Sequence, residues 1–364
     1  MPSIADTIAR FQRGLGAVPD NGAAGGRLVP LEGFGRDPGN LDAFLHVPTG
    51  LPTGAPLVVV LHGCTQTAAA YDHGSGWSQL ADRFGFAVLY PAQKRANNPN
   101  LCFNWFAPED TQRGDGEVES IREMIVAAVA QHGLDRMRVF VTGLSAGGAM
   151  TAAMLATYPE LFAGGAIIAG LPYGTATGVS AALERMRGRG HDSATLGRSV
   201  RAATAHRGPW PIVSVWHGSA DATVHPINAA IIVEQWCDVH GVAATAAVTD
   251  RIDGQRRRTW HDAGGRRVVE EYRIEGLGHG TPVAISGDEA YGAPGPHMLR
   301  AGISSTYRIA ASWGIVPGKA PARQDGPAMT GELPASPRRP TAFGGVDPAR
   351  VIDDALRAAG LIKP

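Results

Sequence analysis

The chain has 364 residues, 44% of them hydrophobic and 18% charged, with 33 basic and 33 acidic side chains balancing to a net charge of zero. That composition supplies a core and excludes a basic nucleic-acid binder, an acidic tail and a polyanion-seeking surface. Three cysteines are too few for a disulfide scaffold, and no stretch is apolar for long enough to span a bilayer.

The opening segment "MPSIADTIARFQRGLG" sets Ile4, Ile8 and Phe11 at helical spacing, and it lacks the basic start and cleavage site of a secretory leader. The sequence as written is therefore expected in the cytoplasm, or outside the cell if it is a mature form. Residues 1–37 read as a helical segment and linker, 38–316 as one catalytic unit, and 317–364 as a Pro/Gly-rich linker with a terminal helix. Within the unit, "LDAFLHVP" (41–48), "PLVVVLHG" (56–63), "FAVLYPA" (86–92), "RVFVTG" (138–143), "GGAIIAG" (164–170) and "PIVSVWHG" (211–218) read as strands, several apolar on both faces. Between them "GWSQLADRFG", "EVESIREMIVAAVAQHG", "GAMTAAMLATYP" and "NAAIIVEQWCDVHG" read as helices, the second opening on acidic residues and closing at Gly133. "RRVVEEYRIEGLGHG" adds a strand and "ISSTYRIAASWGIV" a helix. The alternation predicts an α/β fold, a mostly parallel central sheet with helices on both faces. Beyond residue 317 the chain turns Pro/Gly/Ala-rich and ends in "DPARVIDDALRAAGLIKP", whose Val351, Ile352, Leu356 and Leu361 make an apolar stripe. That stripe needs a surface: the chain's own core, a second subunit, or an apolar substrate.

Where the fourth strand meets its helix stands "GLSAG", Gly143 to Gly147, the G-x-S-x-G pattern of a nucleophile elbow. Small residues flank Ser145 because a strained strand-to-helix turn leaves no room for side chains two positions away. The turn lifts the hydroxyl above the sheet edge and sets the Ala146 amide at a helix N-terminus, where an oxyanion is stabilised. A serine needs a histidine, and the histidine an orienting acid, in the chain order Ser, Asp/Glu, His. Asp221 in "WHGSADATVHP" sits in a small-residue loop at a strand's carboxyl end, though a turn aspartate would also suit that place. His279 in "GLGHGTP" follows the last strand between two glycines, with His297 as its rival. The second oxyanion donor is expected from the loop after "VVVLHG", as the amide of Cys64 or Thr65. His62 is expected to be a buried brace for that loop.

Five blocks, "LHGCTQTAAAYDHGSGWSQLADRFGFAVLYPAQ", "CFNWF", "VFVTGLSAGGAMTAAMLATYPELFAGGAIIAGLPYG", "WHGSADATVHP" and "GLGHGTPV", together resemble the poly(3-hydroxybutyrate) depolymerase-like esterases of the α/β-hydrolase superfamily, over residues 40–315. Feruloyl and acetylxylan esterases share much of the pattern. The resemblance implies ester hydrolysis through an acyl-enzyme, without cofactor or metal, on an ester or polyester substrate. Trp105, Tyr71 and Tyr173 are candidates to line an acyl groove, with core packing as the alternative. Cys64 and Cys102 flank the mouth of the site and are candidates for a disulfide joining two of its loops. Reduced thiols are the alternative in a cytosolic chain.

Overall fold

A computed structural model of the chain describes residues 26–190 and 195–318. The helical stretches read at Ile4–Phe11 and at Val351–Leu361 lie outside the described residues. In chain order, β1 (Val29–Pro30), β2 (Asp42–His46) and β3 (Leu57–Leu61) lead to α1 (Ala68–Ser75), α2 (Trp77–Phe84) and β4 (Ala87–Ala92). Then come α3 (Pro108–Thr111), α4 (Gly116–His132), β5 (Val139–Leu144), α5 (Ala146–Thr157) and β6 (Gly164–Ile168). The chain continues through α6 (Val179–Met186), α7 (Leu196–Ala202), β7 (Ile212–Gly218), α8 (Ile227–His240), β8 (Val248–Ile252), β9 (Gln255–His261) and β10 (Arg267–Ile274). It closes with β11 (Thr281–Val283), β12 (Met298–Arg300) and α9 (Ser305–Ser312).

Ten strands form one sheet in the order β1-β2-β4-β3-β5-β6-β7-β10-β9-β8. The six strands from β4 to β10 in that order pair parallel, and antiparallel strands flank them on both sides. Because β1 pairs with β2, the sheet begins before residue 38, the expected start of the catalytic unit. Every residue of β3 is buried, and its pleat divides the core in two. Leu57, Val59 and Leu61 pack with α4, α5 and α8, while Val58 and Val60 pack with α1, α2 and α9. At about 25 cal/mol per Å² of apolar burial, these two layers are what chiefly holds the sheet between its helices.

α4 is bounded as its sequence suggests. Asp115 caps it with a side-chain bond to the Gly116 amide, and Gly133 ends it at φ 59°. The β8–β9 hairpin turns on Asp253 (φ 50°) and Gly254 (φ 77°), the two-residue turn that an Asp-Gly pair favours.

Candidate active site

The parallel strands end at one level, and backbone bonds tie each end to the next. Ser145 N–H donates to Ile168 O at 2.9 Å, Ala169 N–H to Trp216 O at 2.8 Å, and Ser219 N–H to Ile274 O at 2.9 Å. The residues just past β5, β7 and β10 therefore gather on one carboxyl edge, where an open α/β sheet presents its ligand sites. Those residues include Ser145, Asp221 and His279.

Ser145 sits between β5 and α5 at φ 57° and ψ −117°, a positive φ for a residue with a side chain. Such a conformation costs on the order of 1–3 kcal/mol and persists only where its surroundings enforce it. They do so here through the glycines. A Cβ on Gly147 would stand 2.3 Å from Leu61 O and 2.5 Å from His62 O, and one on Gly143 would stand 2.4 Å from Gly147 O. Five of the seven described non-glycine residues at positive φ, namely Thr65, Leu101, Ser145, Ala169 and His297, lie on loops of this edge.

Asp221 is buried, and its carboxylate takes three hydrogen bonds, with a second imidazole close by. Oδ1 accepts from the amides of Thr223 and Val224, each at 2.9 Å. Oδ2 lies 2.8 Å from His279 Nδ1 and 3.3 Å from His217 Nε2. Burial alone would raise the carboxyl, but the imidazoles of His217 and His279 outweigh it and hold Asp221 well below the usual carboxylate range. With Nδ1–H given to Asp221, the neutral His279 ring keeps Nε2 as a free base. His279 Nε2 and Ser145 Oγ form no hydrogen bond with each other in this structure; catalytic bonds of this kind often close only around substrate.

His297 does not reach the acid. Its Nδ1 donates to the backbone oxygen of His279 at 3.3 Å, and the two rings lie 5.9 Å apart. It braces the loop that presents His279.

The loop after β3 differs from expectation at one donor. The Thr65 amide is taken by Asn100 O at 2.6 Å, because Thr65 turns to φ 62° and faces the neighbouring loop. The Cys64 amide has no partner among the described residues, and neither has the Ala146 amide in the first turn of α5. Cys64 and Cys102 are joined by a disulfide, S–S 2.15 Å, across 38 positions of sequence.

Beneath this loop lies a polar brace in which His62 is the buried support expected from the sequence, while Gln93 and Glu117, which no motif announces, complete it. His62 Nε2 accepts from the Gln93 amide at 3.1 Å, so its proton lies on Nδ1, which donates to Gly63 O at 2.8 Å. Gln93 Nε2 donates to Cys102 O at 3.1 Å and to buried Glu117, whose Oε2 also takes the Asn104 amide at 2.9 Å. Burial first, and Asp110 second, hold the Glu117 carboxyl well above the ordinary glutamate value. In sequence Glu117 reads as one more acid in a helix's first turn, which hides its role.

Of the aromatic candidates, only Trp105 stands at the edge of the site. It is half-buried against Ala149, Leu171 and Val224, residues contributed by α5 and by the loops after β6 and β7. Tyr71 is fully buried, with its hydroxyl 3.1 Å from Thr281 Oγ1, because it lies on the inner face of α1; it supports the His279 loop and lines no groove. Tyr173 is half-buried against the core and donates its hydroxyl to Thr111 O at 3.3 Å, so its polar end is already engaged. Among the described residues no group of three or more His, Cys, Asp or Glu side chains is gathered as a metal would require, and no helix is long and apolar enough to cross a membrane.

The profile of the family described as Esterase PHB depolymerase matches residues 42–259. A poly(3-hydroxyalkanoate) depolymerase C from Paucimonas lemoignei is 47% identical over 292 residues, covering 79% of this chain and 70% of that one. An acetylxylan esterase from Coprinopsis cinerea is 33% identical over 268 residues, covering 71% and 70%. Among solved structures, an acetyl xylan esterase from Aspergillus awamori superposes with a TM-score of 0.64 at 27% identity, over 69% of this chain and 93% of that one. The chain belongs to the PHB depolymerase family of esterases and is a carboxylic ester hydrolase with the α/β-hydrolase fold.

Proposed function

We propose that the protein hydrolyses 3-hydroxyalkanoate polyesters and their oligomers through an acyl-enzyme on Ser145. The observation that carries the reading is the juxtaposition on one sheet edge of a strained serine elbow and a 2.8 Å Asp221–His279 pair. In this reading His279 Nε2 takes the Ser145 proton as Oγ attacks the ester carbonyl, and Asp221 fixes the ring and stabilises the imidazolium. The developing oxyanion is met by the amides of Ala146 and Cys64, two donors free of other partners among the described residues. His279 then returns the proton to the departing alcohol. Water attacks the acyl-enzyme by the same route in reverse and frees Ser145.

The 47% identity to a poly(3-hydroxyalkanoate) depolymerase supports the substrate class. A carbohydrate esterase acting on acetyl groups is the second reading, supported by the acetylxylan esterase relative. We infer that the protein works in an oxidising compartment, since the Cys64–Cys102 bridge would not persist among cytosolic thiols. The test is a hydrolysis panel with wild type and Ser145→Ala on 3-hydroxybutyrate oligomers, amorphous poly(3-hydroxybutyrate), acetylated xylan and methyl ferulate. Release of 3-hydroxybutyrate by wild type alone is expected. Turnover confined to acetylated xylan would move the assignment to the second reading.

A further inference from the structure

Asp221 is served by two imidazoles, and ester hydrolysis as described uses only one. His217 lies on β7 in register with Arg273 of β10, so the sheet fixes its backbone. The side chain is 3% exposed. Its Nε2 is 2.9 Å from Val224 O and 3.3 Å from Asp221 Oδ2. Both neighbours are acceptors, which places the hydrogen on Nε2 and makes the ring a donor. Nδ1 is buried and has no partner among the described residues. The ring is therefore turned so that its one hydrogen serves the acid loop, at the expense of its other nitrogen.

The loop from Asp221 to Val224 is closed on itself by these contacts. Oδ1 holds the Thr223 and Val224 amides, while His217 donates to the Val224 carbonyl and stands 3.3 Å from the far carboxylate oxygen. Val224 packs beside Ala149, one helical turn after Ser145. One strand-borne donor thus links the acid to the wall next to the nucleophile.

We propose that His217 is a positioning residue for ester hydrolysis, a fixed donor that sets the Asp221 carboxylate and draws off part of its charge, so that His279 is held in one orientation. The inference rests on the assignment of Ser145, Asp221 and His279 made above. Removing the donor would do two things. Asp221 would gain freedom, and misplacement of a positioned group costs on the order of tenfold to hundredfold in rate. All the charge on Oδ2 would then face His279 and favour its protonated form. Around His279 the titratable groups are Asp221 and His297, with His217 behind the acid.

The experiment compares His217→Leu with His217→Gln, whose side-chain amide places a donor near the position of Nε2. kcat and kcat/KM for p-nitrophenyl butyrate are measured from pH 5 to 9, with melting curves for each variant. For the Leu variant the expected result is a tenfold to hundredfold lower kcat and an acid limb of kcat/KM moved to higher pH. The Gln variant is expected to recover most of both. A folded Leu variant with wild-type kcat and pH profile overturns the proposal, as does a loss of kcat with an unmoved acid limb or a loss that Gln shares. If the Leu variant does not fold, His217→Asn replaces it, because its amide stops one bond short; Asn and Gln behaving alike then overturns the proposal. Ser145→Ala is run alongside, and full activity there would sink the triad assignment instead.

Discussion

Acidification from pH 7 to 4.5 is expected to weaken the fold through His62, which ends the run of β3 and supports the loop carrying Cys64. His62 is 1% exposed, and its ring lies against that of Phe103, tilted by 41°, with centroids 5.0 Å apart. Burial, opposed by the bond to Gly63 O, lowers its pKa to about 4 from the ordinary 6.5. The folded value lies below the unfolded one, so as pH falls the unfolded chain takes up a proton first. Stability is therefore intact above about 6.5 and is lost progressively down to about 4, where the folded form also protonates. At 1.36 kcal/mol per unit, the loss by pH 4.5 is about 2.5 kcal/mol. Half-buried His240, also lowered to about 4 chiefly by burial, adds a smaller loss of the same sign. The assay is urea unfolding of wild type and His62→Gln at pH 7, 5.5 and 4.5. Wild type starts more stable, because the variant disturbs two buried hydrogen bonds, and the gap closes by about 2.5 kcal/mol on acidification. A gap that stays constant with pH refutes the reasoning.

Gly147→Ala drives a Cβ into two backbone carbonyls of the β3 end, at 2.3 and 2.5 Å, which cannot rotate away. A stability loss of about 1–3 kcal/mol is expected together with a loss of kcat, and an unaltered variant would contradict the packing argument for the elbow. His279→Ala should lower kcat by about 10⁴-fold while His297→Ala costs less than about tenfold, since only the first reaches Asp221; kinetics of the two variants in parallel decide it. Cys102→Ser opens a closure of 38 positions and is expected to lower stability by about 2–4 kcal/mol, with kcat falling as the Cys64 amide loses its anchor. Equal melting temperatures for that variant and wild type would show that the bridge does not hold the loop.

Much of this architecture is legible in the sequence because burial is so uneven. β3, β4, β5 and β6 are covered on both faces, so their apolar runs stand out against the loops. The elbow is legible because its glycines answer to close backbone contacts. Other parts carry no such signal. β1 is two exposed residues, and β11 and β12 have three each, too short for any period. β8 and β9 are masked by "RIDGQRRRT", where Arg257 pairs with Asp250 and Arg258 with Glu271 across the sheet rather than packing apolar side chains. The Asp253-Gly254 turn is the one cue available there. At the site, Ser145, Asp221 and His279 follow from motif and chain order; Gln93 and Glu117 matter through neighbours far away in sequence, and His217, though only four residues before Asp221, carries no motif that marks the direction of its ring. Tyr71 passes for a groove residue because a helix face cannot be oriented until the helix itself, α1, is recognised.

The central claim is that Ser145 is the nucleophile, and covalent trapping tests it most directly. The protein is inactivated with a p-nitrophenyl alkylphosphonate, and the adduct is mapped by peptide mass spectrometry. One phosphonyl group per chain is expected on the peptide carrying Ser145, in proportion to lost activity, with no adduct on Ser145→Ala. A stoichiometric adduct on a different residue, or undiminished ester hydrolysis by Ser145→Ala, would contradict the account.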